Sequence, residues 1–176
     1  MKKQLLLAIL MTLPLTTWAY DVLVDGIYYN LSGNEAAVTN ETGNRVSNSY
    51  SGSVSIPSSI TYNGTVYNVT AIEDYAFACC YGLSSIEIPN SVTTIGDETF
   101  WNLWRLSSIE IPNSVTTIGD QAFYSCNGLA YVEMPNSVTS IGESAFSYCT
   151  GLTSVIIPNS VTSIGSSAFS DVFRHL

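Results

Sequence analysis

The chain has 176 residues, 46% hydrophobic and 11% charged, with a formal net charge of −9. That composition suits one packed domain and excludes a disordered chain. A field of this sign repels nucleic acid and anionic lipid, so no nucleic-acid partner is expected.

The chain opens on a targeting segment. Lys2 and Lys3 precede an apolar run from Leu5 to Leu15 that is broken by Thr12 and Pro14. Thr17-Trp18-Ala19 then supplies small residues where a signal peptidase cuts, so residues 1–19 read as a signal peptide cleaved after Ala19. The run is shorter than the roughly 20 residues that span a bilayer. The expected product is secreted, at the cell surface or in the periplasm, with no membrane span after cleavage. Loss of Lys2 and Lys3 leaves three arginines against 14 acidic residues, a balance of −11.

Residues 20–52 read as an N-terminal β cap. Val22-Leu23-Val24, Gly26-Ile27-Tyr28-Tyr29 and Ala36-Ala37-Val38 are short strand-like runs, and Gly33-Asn34 and Gly43-Asn44 punctuate them as turns. Asn63-Gly64 then lies between two β-rich runs. It suits the positive φ angles of a type I′ turn, so a hairpin is expected over residues 60–69.

From residue 53 the chain is repetitive. Regular units occupy 83–105, 106–128, 129–151 and 152–176, each a step of 23 residues from the last. Pro89, Pro112, Pro135 and Pro158 share one column, and Phe100, Phe123, Phe146 and Phe169 another. The stretch 53–82 is a divergent first copy. Ser53-Val54-Ser55-Ile56-Pro57 aligns with Ser85-Ile86-Glu87-Ile88-Pro89, and the hairpin is inserted after it.

Within a unit, Leu83, Ile86 and Ile88 follow L-x-x-I-x-I, a short strand with alternate side chains turned inward. Gly96-Asp97 is expected to open a short helix, with Asp97 or Asp120 capping its free N–H groups. Phe100 and Leu103 would share one helical face. No single unit can bury its own apolar face, so the units must stack. The predicted fold is α/β: a right-handed leucine-rich-repeat solenoid with a parallel sheet on one side, short helices on the other and the β cap at its start.

The unit I-x-I-P-N-S-V-T-[ST]-I-G-x-x-A-F-x-x-C-x-G-L, best matched over 120–152, resembles the repeat of BspA-like bacterial leucine-rich repeat surface proteins. The likeness extends over residues 53–176, and the Asp25-Gly26-Ile27-Tyr28-Tyr29 opening is similar to that family's N-terminal cap. The resemblance implies a secreted or surface-exposed protein of a host-associated bacterium, adhesin-like toward host matrix or cell-surface protein. It carries over no catalytic or metal motif. At the far end, either Val172, Phe173 and Leu176 close the stack or the chain is a shortened member.

The candidate site residues fall on two sides. Glu87, Glu110 and Glu133 form a column on the outer side of the strands, which Ile156 breaks, with Ser85, Ser108, Tyr131 and Ser154 beside it. The patch Glu110, Tyr131, Glu133, Ser154 and Ile156, with Glu87, is the expected contact for a protein partner. On the other side Trp101, Trp104, Tyr81 and Tyr124 project, and Trp101 and Trp104 are candidates for stacking on sugars. Self-association through the C-terminal end is a further expectation, because an uncovered edge strand can pair with another copy.

Cys80, Cys126 and Cys149 share one phase, and Cys79 falls in an outward one. Helices stacked roughly 8–10 Å apart would hold neighbouring cysteines too far apart to bridge, so four free thiols are expected. The column Asn90, Asn113, Asn136 and Asn159 reads as a structural one that satisfies backbone groups at a repeated bend. The only histidine is His175, which excludes a Ser-His-Asp or Cys-His site of the usual construction. The reading is a non-enzymatic protein with no cofactor and no metal.

Overall fold

The computed structural model describes residues 19–45 and 49–172. Residues 1–18 of the expected signal peptide 1–19, and Phe173 and Leu176 of the expected closing residues, lie outside the described residues.

Strands β1 (Val22–Val24), β2 (Ile27–Ser32) and β3 (Glu35–Thr39) form an antiparallel meander. Asp25 and Gly26 join the first two with φ angles of 48° and 83°. β4 (Ser51–Ser55) follows, then the hairpin of β5 (Ser59–Tyr62) and β6 (Thr65–Ile72). Asn63 and Gly64 take φ 49° and 79° at its tip, as the Asn-Gly pair led us to expect. β7 (Gly82–Glu87) pairs with β4 in parallel, placing Val54 beside Ile86 and Ser55 beside Glu87.

The remaining strands are short: β8 (Thr94–Ile95), β9 (Ser108–Glu110), β10 (Thr117–Ile118), β11 (Tyr131–Glu133), β12 (Ser140–Ile141), β13 (Ser154–Ile156) and β14 (Ser163–Ile164). They build two ladders. One runs β6-β8-β10-β12-β14, all parallel, and continues through β3 into the meander. The other is β9-β11-β13, also parallel. Partners in both lie 23 positions apart, such as Ile95 with Ile118 and Ile109 with Val132.

The third side corrects the sequence reading. No helix forms among the described residues; the segments after Gly96, Gly119 and Gly142 are successive tight turns. Two residues in each are left-handed: Glu98 and Asn102 at φ 51° and 62°, Gln121 and Ser125 at 53° and 60°, Ser144 and Tyr148 at 53° and 60°. Alternate N–H groups therefore point across to the next rung. Glu98, Phe100 and Asn102 each donate, at 2.8 Å, to the carbonyls of Asp120, Ala122 and Tyr124. The physical reason is spacing: strands hold adjacent rungs about 4.8 Å apart, and whole helices need roughly twice that.

Between the ladders runs a continuous apolar core. Phe77, Phe100, Phe123, Phe146 and Phe169 stack at ring separations of 4.9–5.5 Å. Tyr50 extends this spine toward the meander, 4.6 Å from Phe77. The bends after each proline close through the backbone, for example Val92 N–H to the Pro89 carbonyl at 3.1 Å. The Asn90, Asn113, Asn136 and Asn159 side chains stand exposed and make no hydrogen bond. The structural role expected of that column is thus replaced by a backbone turn.

Candidate functional site

Two surfaces carry the singled-out residues. On the strand face, β9, β11 and β13 place Glu110, Glu133 and Ile156 in one row and Ser108, Tyr131 and Ser154 in the next. All six side chains are exposed, because strand alternation sends Ile109 and Val132 inward instead. The Tyr131 hydroxyl donates to Glu133 Oε2 at 3.1 Å. Desolvation, then this bond and the Glu133 charge, push the phenol above its ordinary pKa. Tyr131 and Ile156 are 41% and 55% exposed, an aromatic and an aliphatic side chain on one small polar face.

Glu87 borders this patch without joining its ladder. Its strand pairs back to β4, where Ser55 Oγ donates to Glu87 Oε2 at 2.8 Å, and no ladder pairing joins β7 to β9 among the described strands. A cleft of about 470 Å³ lies there, with Glu87 on one bank and Glu110 on the other.

The turn face holds the aromatics, and it separates the two tryptophans. Trp101 is half-buried and engaged by two neighbours: Tyr124 stacks on it at 6.2 Å, and the Arg45 guanidinium lies 5.2 Å from its ring centre. Arg45 also forks onto both carboxylate oxygens of buried Glu98 and lies 5.9 Å from the Tyr75 ring. Nothing in the sequence pointed to Arg45, which arrives from the loop after β3, outside any repeat column. Trp104 is 58% exposed, and its one ring contact among the described residues is Tyr81, at 5.3 Å.

The aspartates expected to cap helices serve the stack instead. Asp74 Oδ1 accepts the Asp97 N–H, Asp97 Oδ1 the Asp120 N–H, and Asp120 Oδ1 the Glu143 N–H, at 2.6–2.7 Å. Each carboxylate thus ties its rung to the next.

All four cysteines are free and buried. Cys79, expected to face outward, is only 5% exposed. The spacing argument for free thiols also needs correction, since backbone hydrogen bonds link the rungs on this side. Cys126 and Cys149 are close enough to interact, and each thiol donates to a carbonyl, Phe100 O and Phe123 O, at 2.9 Å. Burial, then Cys149, holds the Cys126 thiol well above its ordinary pKa, and burial pushes Cys80 to about 11. Such thiols stay protonated and inert at neutral pH.

A cleft of about 790 Å³ lies where the meander meets the first repeats and was not singled out from sequence. Asn30, Thr39, Glu73, Asp74 and Tyr75 are among its lining residues. Burial raises the Glu73 pKa, while Asn30 Nδ2, donating to Oε2 at 2.8 Å, pulls it down. Among the described residues no three His, Cys, Asp or Glu side chains gather as metal ligands, and no helix is long and apolar enough to cross a membrane.

Known proteins place this architecture. A family model described as the BspA type leucine rich repeat region matches residues 47–174 in six copies. Among solved structures, the Treponema pallidum leucine rich repeat protein is 30% identical with a TM-score of 0.73, over 86% of this chain and 67% of that one. A leucine rich cell surface protein from Faecalibacterium prausnitzii is 28% identical with a TM-score of 0.61, over 86% and 52%. The pneumococcal vaccine antigen PcpA is 27% identical with a TM-score of 0.65, over 85% and 41%. The chain therefore spans two thirds of the first of these, about half of the second and about two fifths of the third. No curated protein matches it. With the parallel ladders in register and the family's repeat matched over residues 47–174, this chain belongs to the BspA-type leucine-rich repeat family.

Proposed function

We propose that this protein is a secreted binding module, presented at a cell surface in the manner of an adhesin, whose strand face engages a protein partner of the host matrix or cell surface. The observation that carries this reading is the pairing of β9, β11 and β13. It sets exposed Tyr131 and Ile156 beside Glu110 and Glu133 on a rigid backbone. An apolar anchor ringed by carboxylates fits a partner patch of aliphatic and basic side chains. The remainder of the chain serves this face as a right-handed solenoid of 23-residue units, with residues 20–52 as its N-terminal cap and cleavage after Ala19 releasing it. The continuation of the repeat sheet into β1–β3 supports that role for the cap. Binding to a panel of purified matrix proteins tests the proposal. The combined Tyr131→Ala and Ile156→Asp variant should lose binding by tenfold or more, and unchanged binding would remove the strand face from the function.

A second reading has its own observation. Ile95, Ile118 and Ile141 are buried, but Ile164 in the same column is 50% exposed, and Ile156 and Ile157 nearby are exposed too. Both acidic columns also stop one rung earlier, at Glu133 and Glu143, giving way to Ile156 and Ser166. This apolar, weakly charged end suits self-association in a structural surface component. Light scattering across a concentration series reads it: wild type should grow with concentration and Ile164→Asp should stay monomeric, and a monomeric wild type contradicts it.

A further inference from the structure

The Tyr81–Trp104 pair belongs to a second surface that shares no residue with the strand-face patch. Tyr81 and Trp104 occupy the same column in adjacent rungs, with ring centres 5.3 Å apart and planes tilted by 57°. Both rings are exposed, so the pair forms an open apolar angle and not a closed stack. With Gly82 and Arg105, it lines a cleft of about 580 Å³. Arg105 stands in a column where the two adjacent units carry Gly82 and Gly128, with Gly151 and Arg174 further along. The adjacent units therefore add no side chain at that column, and Gly82 leaves open the cleft that Arg105 lines.

The charge around it is as unusual as the shape. Of the described cations, Arg45 is committed to Glu98, while Arg105 has no ion-pair partner and is exposed. The two stretches that build the cleft, 75–86 and 99–109, contain no Asp or Glu in a chain that carries 14. An unneutralised guanidinium in an acid-free pocket, next to two exposed aromatic rings, is complementary to an anion with a flat apolar face.

We infer that Tyr81, Trp104 and Arg105 form a binding site for a carboxylated pyranose, a β-linked hexuronic acid residue of a glycan. A pyranose with equatorial substituents presents a planar C–H face to lie on the Trp104 indole. Its equatorial carboxylate projects sideways, within the reach of a neighbouring arginine, whose fork matches two carboxylate oxygens. The Tyr81 ring forms the second wall, and its hydroxyl, 3.5 Å from Asn102 Nδ2, adds a polar group at the rim. The structure narrows sugar recognition from the two tryptophans together to Trp104, since Trp101 is taken up by Arg45 and Tyr124.

The test is titration of the mature protein, carrying Trp101→Phe so that Trp104 alone reports, with a hyaluronan hexasaccharide and with a neutral chitin hexasaccharide. Fluorescence should change saturably with hyaluronan, and the neutral oligomer should bind at least tenfold more weakly, as expected when one charge-assisted contact is missing. Arg105→Gln should reduce hyaluronan affinity about tenfold and leave the neutral sugar unaffected. In the Trp101-containing protein, Trp104→Ala should abolish binding by calorimetry with an unchanged thermal midpoint. Equal binding of the two oligomers, no saturable response to hyaluronan, or an unaltered affinity in Arg105→Gln would each overturn the assignment. Because strand-face variants leave these residues untouched, failure here and failure of protein binding are separate results.

Discussion

The strand face and the turn face are built from the same chain at the same rung spacing, but by opposite backbone rules. On the strand face, residues are extended, alternate side chains point inward, and the outward ones are small or acidic apart from Tyr131 and Ile156. On the turn face, two residues per rung are forced left-handed so that N–H groups can reach the next rung. Aromatic side chains and the Arg45–Glu98 pair cover that surface. A repeat can thus satisfy its backbone on every side without helices, and the strained side leans on side-chain packing for support.

The comparison can be broken most forcefully inside the turn face. Phe123→Ala removes the middle of the phenylalanine spine and should cost about 4 kcal/mol, read by denaturant unfolding. An Ala at exposed Glu110 should cost within about 0.5 kcal/mol. Next in size is Arg45→Ala, which leaves the buried Glu98 carboxylate without its cation; a loss of about 2 kcal/mol is expected. Because Arg45 is itself half exposed, this is less than for a fully buried pair.

Glycine sharpens the comparison, because the two faces should answer it with opposite signs. Gln121 sits at φ 53°, where an L-residue pays about 1–2 kcal/mol. Gln121→Gly should therefore stabilise the fold by about 0.5–1 kcal/mol after glycine's entropy cost. Ser108→Gly in extended β9 should destabilise it by a similar amount. Paired thermal unfolding of the two variants is the check.

The smallest effect concerns the cleft beside the meander. Glu73 has a pKa raised by burial, so its neutral form favours folding. Its contribution is fully present below the unfolded carboxyl pKa and is lost as pH rises through the folded one. Unfolding of Glu73→Gln across pH 4–8 should lack that fall relative to wild type, and parallel profiles would contradict the shift.

What the sequence made legible follows from these rules. The I-x-I part of the motif marks a strand by its period-two alternation, and Asn63-Gly64 marks the β5–β6 turn by the φ angles it permits. The turn face misled because Phe100 and Leu103, three apart, fit a helical turn as well as a run of tight turns. The left-handed positions carry no mark either: Glu98, Gln121 and Ser144 are not glycines, and their conformation is imposed by the neighbouring rung. Arg45 could not be placed because its partners are Glu98 and Trp101, more than fifty residues away. The strand-face candidates came together because register alone determines which residues are adjacent, except Glu87, where the ladder between β7 and β9 is missing.

The proposal that the strand face is the protein-binding surface is tested most directly by charge reversal. Glu110→Lys with Glu133→Lys, compared with Trp104→Ala in one biosensor experiment against the same matrix protein, separates the two faces. The reversal should abolish protein binding while leaving the unfolding midpoint unchanged, and Trp104→Ala should bind as wild type does. Binding that survives the double reversal but falls in Trp104→Ala would transfer the function to the turn face and contradict the assignment.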